Sequence, residues 1–179
     1  EFNEVTWFYV SEDNTATDGN PEPDSYVTYN YRDNCWSIGT IPRNCWFDSF
    51  GFRKVPFAFS SAGLLYNHES GDDDAGSALS AHITSSPIEI DPTGNTLMLM
   101  DKIIPDVTMA GTLNCTVTSQ KYPNGSAITK GSFTIQQDTA KISMRSRGRQ
   151  VSLKLESTAI GDSWSLGDFR INSRQDGLR

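Results

Sequence analysis

Histidine, cysteine and helical periodicity are all scarce in this sequence, and each shortage removes a class of function. Only two histidines occur, His68 and His82. His68-Glu69 lacks the second histidine of a zinc-protease helix, and no nucleophile elbow, phosphate-binding loop or dinucleotide fingerprint is present. Three cysteines, Cys35, Cys45 and Cys115, make an odd count. Small secreted scaffolds carry dense, even sets, so these read as reduced thiols of a protein made in a cytoplasm. Each is expected to be a small buried hydrophobe. A Cys35–Cys45 bridge would need their Cα atoms within about 7 Å.

Long apolar runs are missing as well. None approaches the roughly 18 residues of a membrane helix, and no signal peptide precedes the first apolar strand. Basic charge is in the minority, with 15 Lys and Arg against 22 Asp and Glu for a net of -7. A free-standing nucleic-acid binder usually has the opposite balance. The chain starts at Glu1, without an initiator Met, which reads as a piece of something larger.

What is abundant is unevenly placed. Of 19 aromatic residues, 15 fall within residues 1–66. Residues 1–140 hold 7 basic and 18 acidic side chains, a net of -11, whereas residues 141–179 hold 8 and 4, a net of +4. The acidic average therefore conceals a basic end.

No window of a dozen residues carries a helical apolar stripe. Short β-branched and aromatic runs between Gly, Pro, Asn and Asp clusters predict an all-β chain. Strands are expected at Val5–Val10, Tyr26–Tyr31 and Cys35–Ile41, with Arg32-Asp33-Asn34 as a turn and Gly19-Asn20-Pro21 in a preceding loop. Phe57–Ser60 and Leu64–Tyr66 should form a hairpin around Ser61-Ala62-Gly63. These strands have the length and spacing of propeller blades, which need a neighbour on each face. Residues 1–85 are thus expected to be a propeller-like segment, incomplete alone.

A loop from His68 to Ala81 leads into a plainer β region. Residues 86–179 are expected to form a β-sandwich or open barrel. Its strands begin with Ile88-Glu89-Ile90 and Leu97–Met100. Leu113, Cys115 and Val117 then alternate with polar residues, and Phe133 and Ile135 alternate again beyond a turn at Pro123-Asn124-Gly125. The last 40 residues read as three strands. Ile142 and Met144 point inward in the first, and Val151, Leu153 and Leu155 in the second, a hairpin partner after Gly148. The third carries Trp164, Leu166, Phe169 and Ile171, with a bulge at Gly167-Asp168.

Few constellations carry chemistry. Asp72, Asp73 and Asp74, with Glu69 nearby, could hold a hard cation through oxygen ligands. They lack the EF-hand spacing, and a solvated loop tip is the plainer reading. Acidic pairs are plentiful, but nothing singles out a glycosidase dyad. The rings of Trp7, Tyr29, Tyr31, Trp36, Trp46, Phe57, Phe59 and Tyr66 could line a sugar-binding groove, or pack blade to blade. A basic set comprises Arg145, Arg147, Arg149, Lys154, Arg170 and Arg174. Pairing of the hairpin would put Arg145, Arg147 and Lys154 on one outward face. Its readings are a phosphate patch, a solvated face balanced by Glu156, Asp162, Asp168 and Asp176, or a contact with an acidic neighbouring copy. The last is preferred.

Four segments together resemble a known family. They are Tyr29–Gly39 (YNYRDNCWSIG), Leu65–Gly71 (LYNHESG), Ile103-Ile104-Pro105-Asp106, and the tail. The tail contributes Arg147-Gly148-Arg149-Gln150, Trp164–Arg170 (WSLGDFR) and Asp176-Gly177-Leu178-Arg179. In order and spacing the chain is similar to the C-terminal part of tail nozzle proteins of short-tailed bacteriophages, also called tail tubular or packaged-DNA stabilisation proteins. Two positions depart from that pattern. Ser165 stands where Arg usually follows the Trp, and Leu178 where Arg usually precedes the last residue.

The resemblance implies a structural virion protein with no catalytic site and no cofactor, made in the host cytoplasm. It implies a homo-oligomeric ring, commonly a hexamer, that contacts neighbouring tail or adaptor proteins and surrounds the channel through which genomic DNA leaves. It also puts a propeller and other β domains in the chain. The alternatives are a carbohydrate-binding β module and a tail-associated polysaccharide hydrolase.

Overall fold

A computed structural model describes residues 3–14, 21–48, 51, 54–60 and 62–178. Of the residues named above, Glu1, Gly19, Asn20, Ser61 and Arg179 lie outside this set. Every regular element among the described residues is a strand, so the all-β expectation holds. Among the described residues, no helix is long and apolar enough to cross a membrane. The chain forms two compact units, residues 1–70 and 71–179. The division falls ahead of the boundary expected after residue 85.

The first unit contains β1 (Glu4–Tyr9), β2 (Ser25–Asn30), β3 (Cys35–Thr40), β4 (Cys45–Phe47), β5 (Phe57–Phe59) and β6 (Leu65–Asn67). They make two antiparallel sheets, β1-β2-β3 and β4-β5-β6. The turn at residues 31–34 is set by Asn30, whose side-chain oxygen accepts from the backbone N–H of Arg32 and of Asp33. The Phe57–Ser60 hairpin forms as expected, but the sequence reading missed β4, which has only three residues. The sheets meet through aromatic side chains. Phe8 of β1 lies against Trp46 of β4 with ring centroids 5.1 Å apart. Register places Trp46, Ala58 and Tyr66 side by side on that inner face. Among the described residues of this unit, Ala58 is the only apolar side chain that is fully buried.

The second unit opens with a small hairpin, β7 (Asp73–Asp74) and β8 (Ser77–Ala78), inside the predicted loop. There follow β9 (Ala81–Thr84), β10 (Met98–Ile104), β11 (Val107–Ala110), β12 (Leu113–Gln120), β13 (Ile128–Ile135), β14 (Ile142–Gly148), β15 (Gln150–Ser157), β16 (Ser163–Leu166) and β17 (Arg170–Gln175). Two sheets carry the core, β14-β10-β17 and β13-β12-β15-β9, and β11 with β16 forms a ribbon. Met98, Met100, Ile103 and Ile142 of the first sheet share one apolar cluster with Leu113, Cys115, Val117, Ile135, Val151, Leu153 and Leu155 of the second. Trp164 and Leu166 of the ribbon pack against it. Alternation along each strand supplies this inner layer, since successive side chains point to opposite faces.

Three expectations fail here for physical reasons. Ile88-Glu89-Ile90 is not a strand, and only Ile88 bridges to Val151. The segments before and after Gly148 do not pair as a hairpin: β14 bonds to β10, whereas β15 bonds to β12 and β9. The chain turns from one sheet to the other at Gly148, where a Cβ would stand 2.7 Å from the backbone oxygen of Gln120. Only glycine allows that approach. Lastly, the parity change at Gly167-Asp168 is no bulge within one strand. It is the passage from β16 to β17, which belong to different sheets. A bulge does exist at Asp101 in β10. It shifts the alternation, so that Ile103 enters the core opposite Ile142 and Ile171.

Candidate interaction surfaces

The two sheets of the first unit use one face each for packing and leave the other open. On β1-β2-β3 the open face carries Val5, Trp7 and Tyr9, then Val27 and Tyr29, then Trp36 and Ile38, as the register requires. Trp36 is 63% exposed and Ile38 78%. On β4-β5-β6 the corresponding face carries Phe47 and Phe57, with Phe59 and Leu65 beside them, and Phe47, Phe59 and Leu65 are exposed. Contiguous exposed apolar side chains of this kind make both faces candidate interaction surfaces.

The rings of the first unit pack on one another. Trp36 stacks on Tyr29 at 4.5 Å and 28°, and Trp7 stacks on Trp36 at 6.0 Å and 26°. Phe47 and Phe57 stack at 5.1 Å and 13°. Trp46 has Phe8 at 5.1 Å and His68 at 4.5 Å. Its indole N–H donates to Asp48 at 3.2 Å. A groove of about 700 Å3 runs past Phe8, Tyr31, Trp46, Asp48, Lys54 and Glu69, but the ring that would floor it is held by neighbours. Beside it, the Arg43 guanidinium sits 4.2 Å over the Tyr66 ring and donates to Nε2 of His68 at 3.4 Å. A cation over an aromatic face is attracted by the ring quadrupole, so this cluster braces the sheet.

The cation candidates Asp72, Asp73 and Asp74 are exposed. Asp73 accepts from the Gly76 N–H at 3.1 Å within the β7–β8 turn. Among the described residues, no three His, Cys, Asp or Glu side chains converge to hold a metal ion. All three cysteines are free thiols, and the expectation of burial fails for two of them. Cys35 and Cys45 are exposed, and only Cys115 is buried. Burial pushes the Cys115 thiol up to about 11.

The basic set is divided by the turn at Gly148. Lys154 lies on β15 and pairs with Glu156 of the same strand. Arg149 sits at the corner, where its N–H donates to the Gln120 carbonyl at 2.8 Å. The other four lie on β14 and β17, the two strands that flank β10. Arg147 and Arg174 sit opposite Leu99, one on each side of it. Arg145 follows the alternation of Arg147, and Arg170 that of Arg174, so all four point away from the core. Lys102 joins them. The bulge at Asp101 turns it outward between Ser143 and Asn172. Lys102 lies beyond Leu97–Met100, the strand expected from the sequence, and so falls outside the expected basic set.

Compared with protein families and curated proteins, the chain matches no family model and no curated protein.

Proposed function

We propose that this chain is a structural virion protein, a subunit of a tail nozzle ring of the kind found in short-tailed bacteriophages. The observation that carries the reading is the open aromatic face of β1-β2-β3. A unit that fully buries only one described apolar side chain, and leaves Trp7, Trp36 and Ile38 in water, needs another sheet against it. Stacked antiparallel sheets cover one another in this way in a propeller. The family likeness of Tyr29–Gly39 falls on β2 and β3, the strands that build this face.

In this reading the copies close into a homo-oligomeric ring, six by likeness, that contacts neighbouring tail or adaptor proteins. Genomic DNA passes through without sequence-specific binding. A net charge of -7 supports passage, since every phosphate neutralised by a lumen would add affinity and resist movement. The protein is made in the host cytoplasm and acts in the virion. No catalytic residue or cofactor is assigned. Electron microscopy of the purified protein and of tails tests the reading. The expected image is a closed ring with a central hole. Glycan-array binding that is lost in Trp46→Ala, with no ring, would overturn it in favour of a carbohydrate-binding module.

A further inference from the structure

The outer face of β14-β10-β17 gathers charge that is scattered along the sequence. Lys102, Arg145, Arg147, Arg170 and Arg174 come from three strands. Neighbouring strands lie about 4.8 Å apart, and same-face residues along a strand about 6.7 Å apart. The five cations therefore fall within an area of roughly 10 by 20 Å. The four arginines are exposed and Lys102 is half-buried. Two carboxylates share the face. Asp176 accepts from Arg147, and Asp101 accepts from the Asn172 amide at 2.7 Å. Among the described residues, Arg147 alone of the five has an ion pair. The apolar floor is covered at one end, where Leu99, between Arg147 and Arg174, is only 3% exposed, and Ile104 opposite Arg170 is partly open at the other. Five cations against two carboxylates suit the face to an acidic partner.

We propose that this face docks the acidic first unit of a second copy of the chain. Residues 1–70 hold ten acidic and four basic side chains, a net of -6. Glu4, Glu12, Asp13, Glu22 and Asp33 of that unit are exposed. Arginine presents a planar fork that matches a carboxylate in two parallel hydrogen bonds, so four arginines can order an acidic surface in register. A phosphate polymer would meet the same guanidinium chemistry, and the duplex DNA probe below separates it from a second copy. A second copy brings a complement of its own. The contact is heterologous, basic face to acidic unit, so it repeats from copy to copy and closes into a ring when the rotation between copies allows. It deepens the assembly reading above and rests on it for its biological setting.

The test is sedimentation velocity of the full chain at low and at 0.5 M salt, beside Arg145→Glu/Arg174→Glu and Arg145→Lys/Arg174→Lys. The wild type is expected to self-associate at low salt, with affinity falling roughly tenfold or more as salt rises. The Glu variant is expected to be monomeric alone, and the Lys variant to associate measurably but more weakly than wild type, because it keeps the charge and loses the fork. Mixed with wild type, the Glu variant should still form a complex, because its acidic unit is intact. A thermal midpoint equal to that of wild type keeps a folding defect from imitating the result. The proposal is overturned if the wild type is monomeric at low salt, or if the Glu variant associates as the wild type does. It is also overturned if the substitutions abolish binding to a duplex DNA probe while association persists. Failure of the ring reading is a separate outcome: pairs or open chains in the microscope, with the Glu variant still monomeric, leave this contact standing.

Discussion

Asp162 accepts a hydrogen bond from the backbone N–H of Thr112, fifty positions earlier in the chain, at 2.9 Å. Its other carboxylate oxygen accepts from the Ala159 N–H, also at 2.9 Å. One buried side chain therefore ties the turn between β11 and β12 to the turn between β15 and β16. Gly111 makes room for it. Its φ is +84°, and a Cβ there would stand 2.1 Å from the Asp162 carboxylate. Asp162→Ala leaves two backbone donors without a partner and is expected to cost about 1–3 kcal/mol. Gly111→Ala combines left-handed backbone strain with the clash and should cost at least as much. Urea unfolding followed at Trp164, which packs on the same core, measures both.

Ile103 is the residue that the bulge at Asp101 delivers into the core, where it is fully buried. Ile103→Ala is expected to cost about 2–5 kcal/mol and Ile103→Val about 1 kcal/mol. Lys102→Ala, one position away but outward, should stay within about 0.5 kcal/mol of wild type. If Lys102→Ala proved the more damaging of the two alanine changes, the assigned parity of β10 would be wrong.

Thiol labelling separates the three cysteines. A disulfide reagent at pH 8 should modify Cys35 and Cys45 quickly, because both are exposed. Cys115 should react only after denaturation, because it is buried and its thiol is raised to about 11. Ellman titration of the native protein is expected to read two thiols, and three in guanidinium.

Acid should weaken the second unit through Asp91. The side chain and backbone N–H of Thr93 and the hydroxyl of Thr96 all donate to this carboxylate, holding its pKa below the ordinary 3.8. Between the lowered folded value and the ordinary unfolded one, the unfolded chain binds more protons. The contribution is complete above about pH 4 and is lost as pH falls through the folded value. Asp91→Asn removes the titration, so its thermal midpoint should fall less steeply between pH 4 and 2 than that of wild type. Equal slopes would discount Asp91 as a source of acid sensitivity.

Alternation within a strand was legible in the sequence; partnership between strands was not. Leu113, Cys115 and Val117, and likewise Val151, Leu153 and Leu155, point inward as their spacing required. That spacing is identical for a strand paired across a hairpin and for one that has crossed to the opposite sheet. Gly148 therefore read as a hairpin turn when it is a corner between layers. The same ambiguity governed the basic set. Arg145 and Arg147 were correctly outward, but Lys154 went to the other sheet, and Lys102 arrived through a bulge that no residue pattern announced. In the first unit the aromatic strands were visible, whereas β4, at three residues, was too short to register as a pattern.

The central position of β10 has a consequence for how the second unit is built. Its two neighbours are β14 and β17, and β17 lies about seventy residues further along the chain. Met98 to Ile104 must therefore wait for residues 170–175 to be synthesised before its second edge is covered. Until then an apolar strand with an open edge is exposed to other nascent chains. Closing a loop of about seventy residues late makes for slow folding. A truncation just before Arg170 should accordingly aggregate during expression, rather than yield a slightly smaller folded protein.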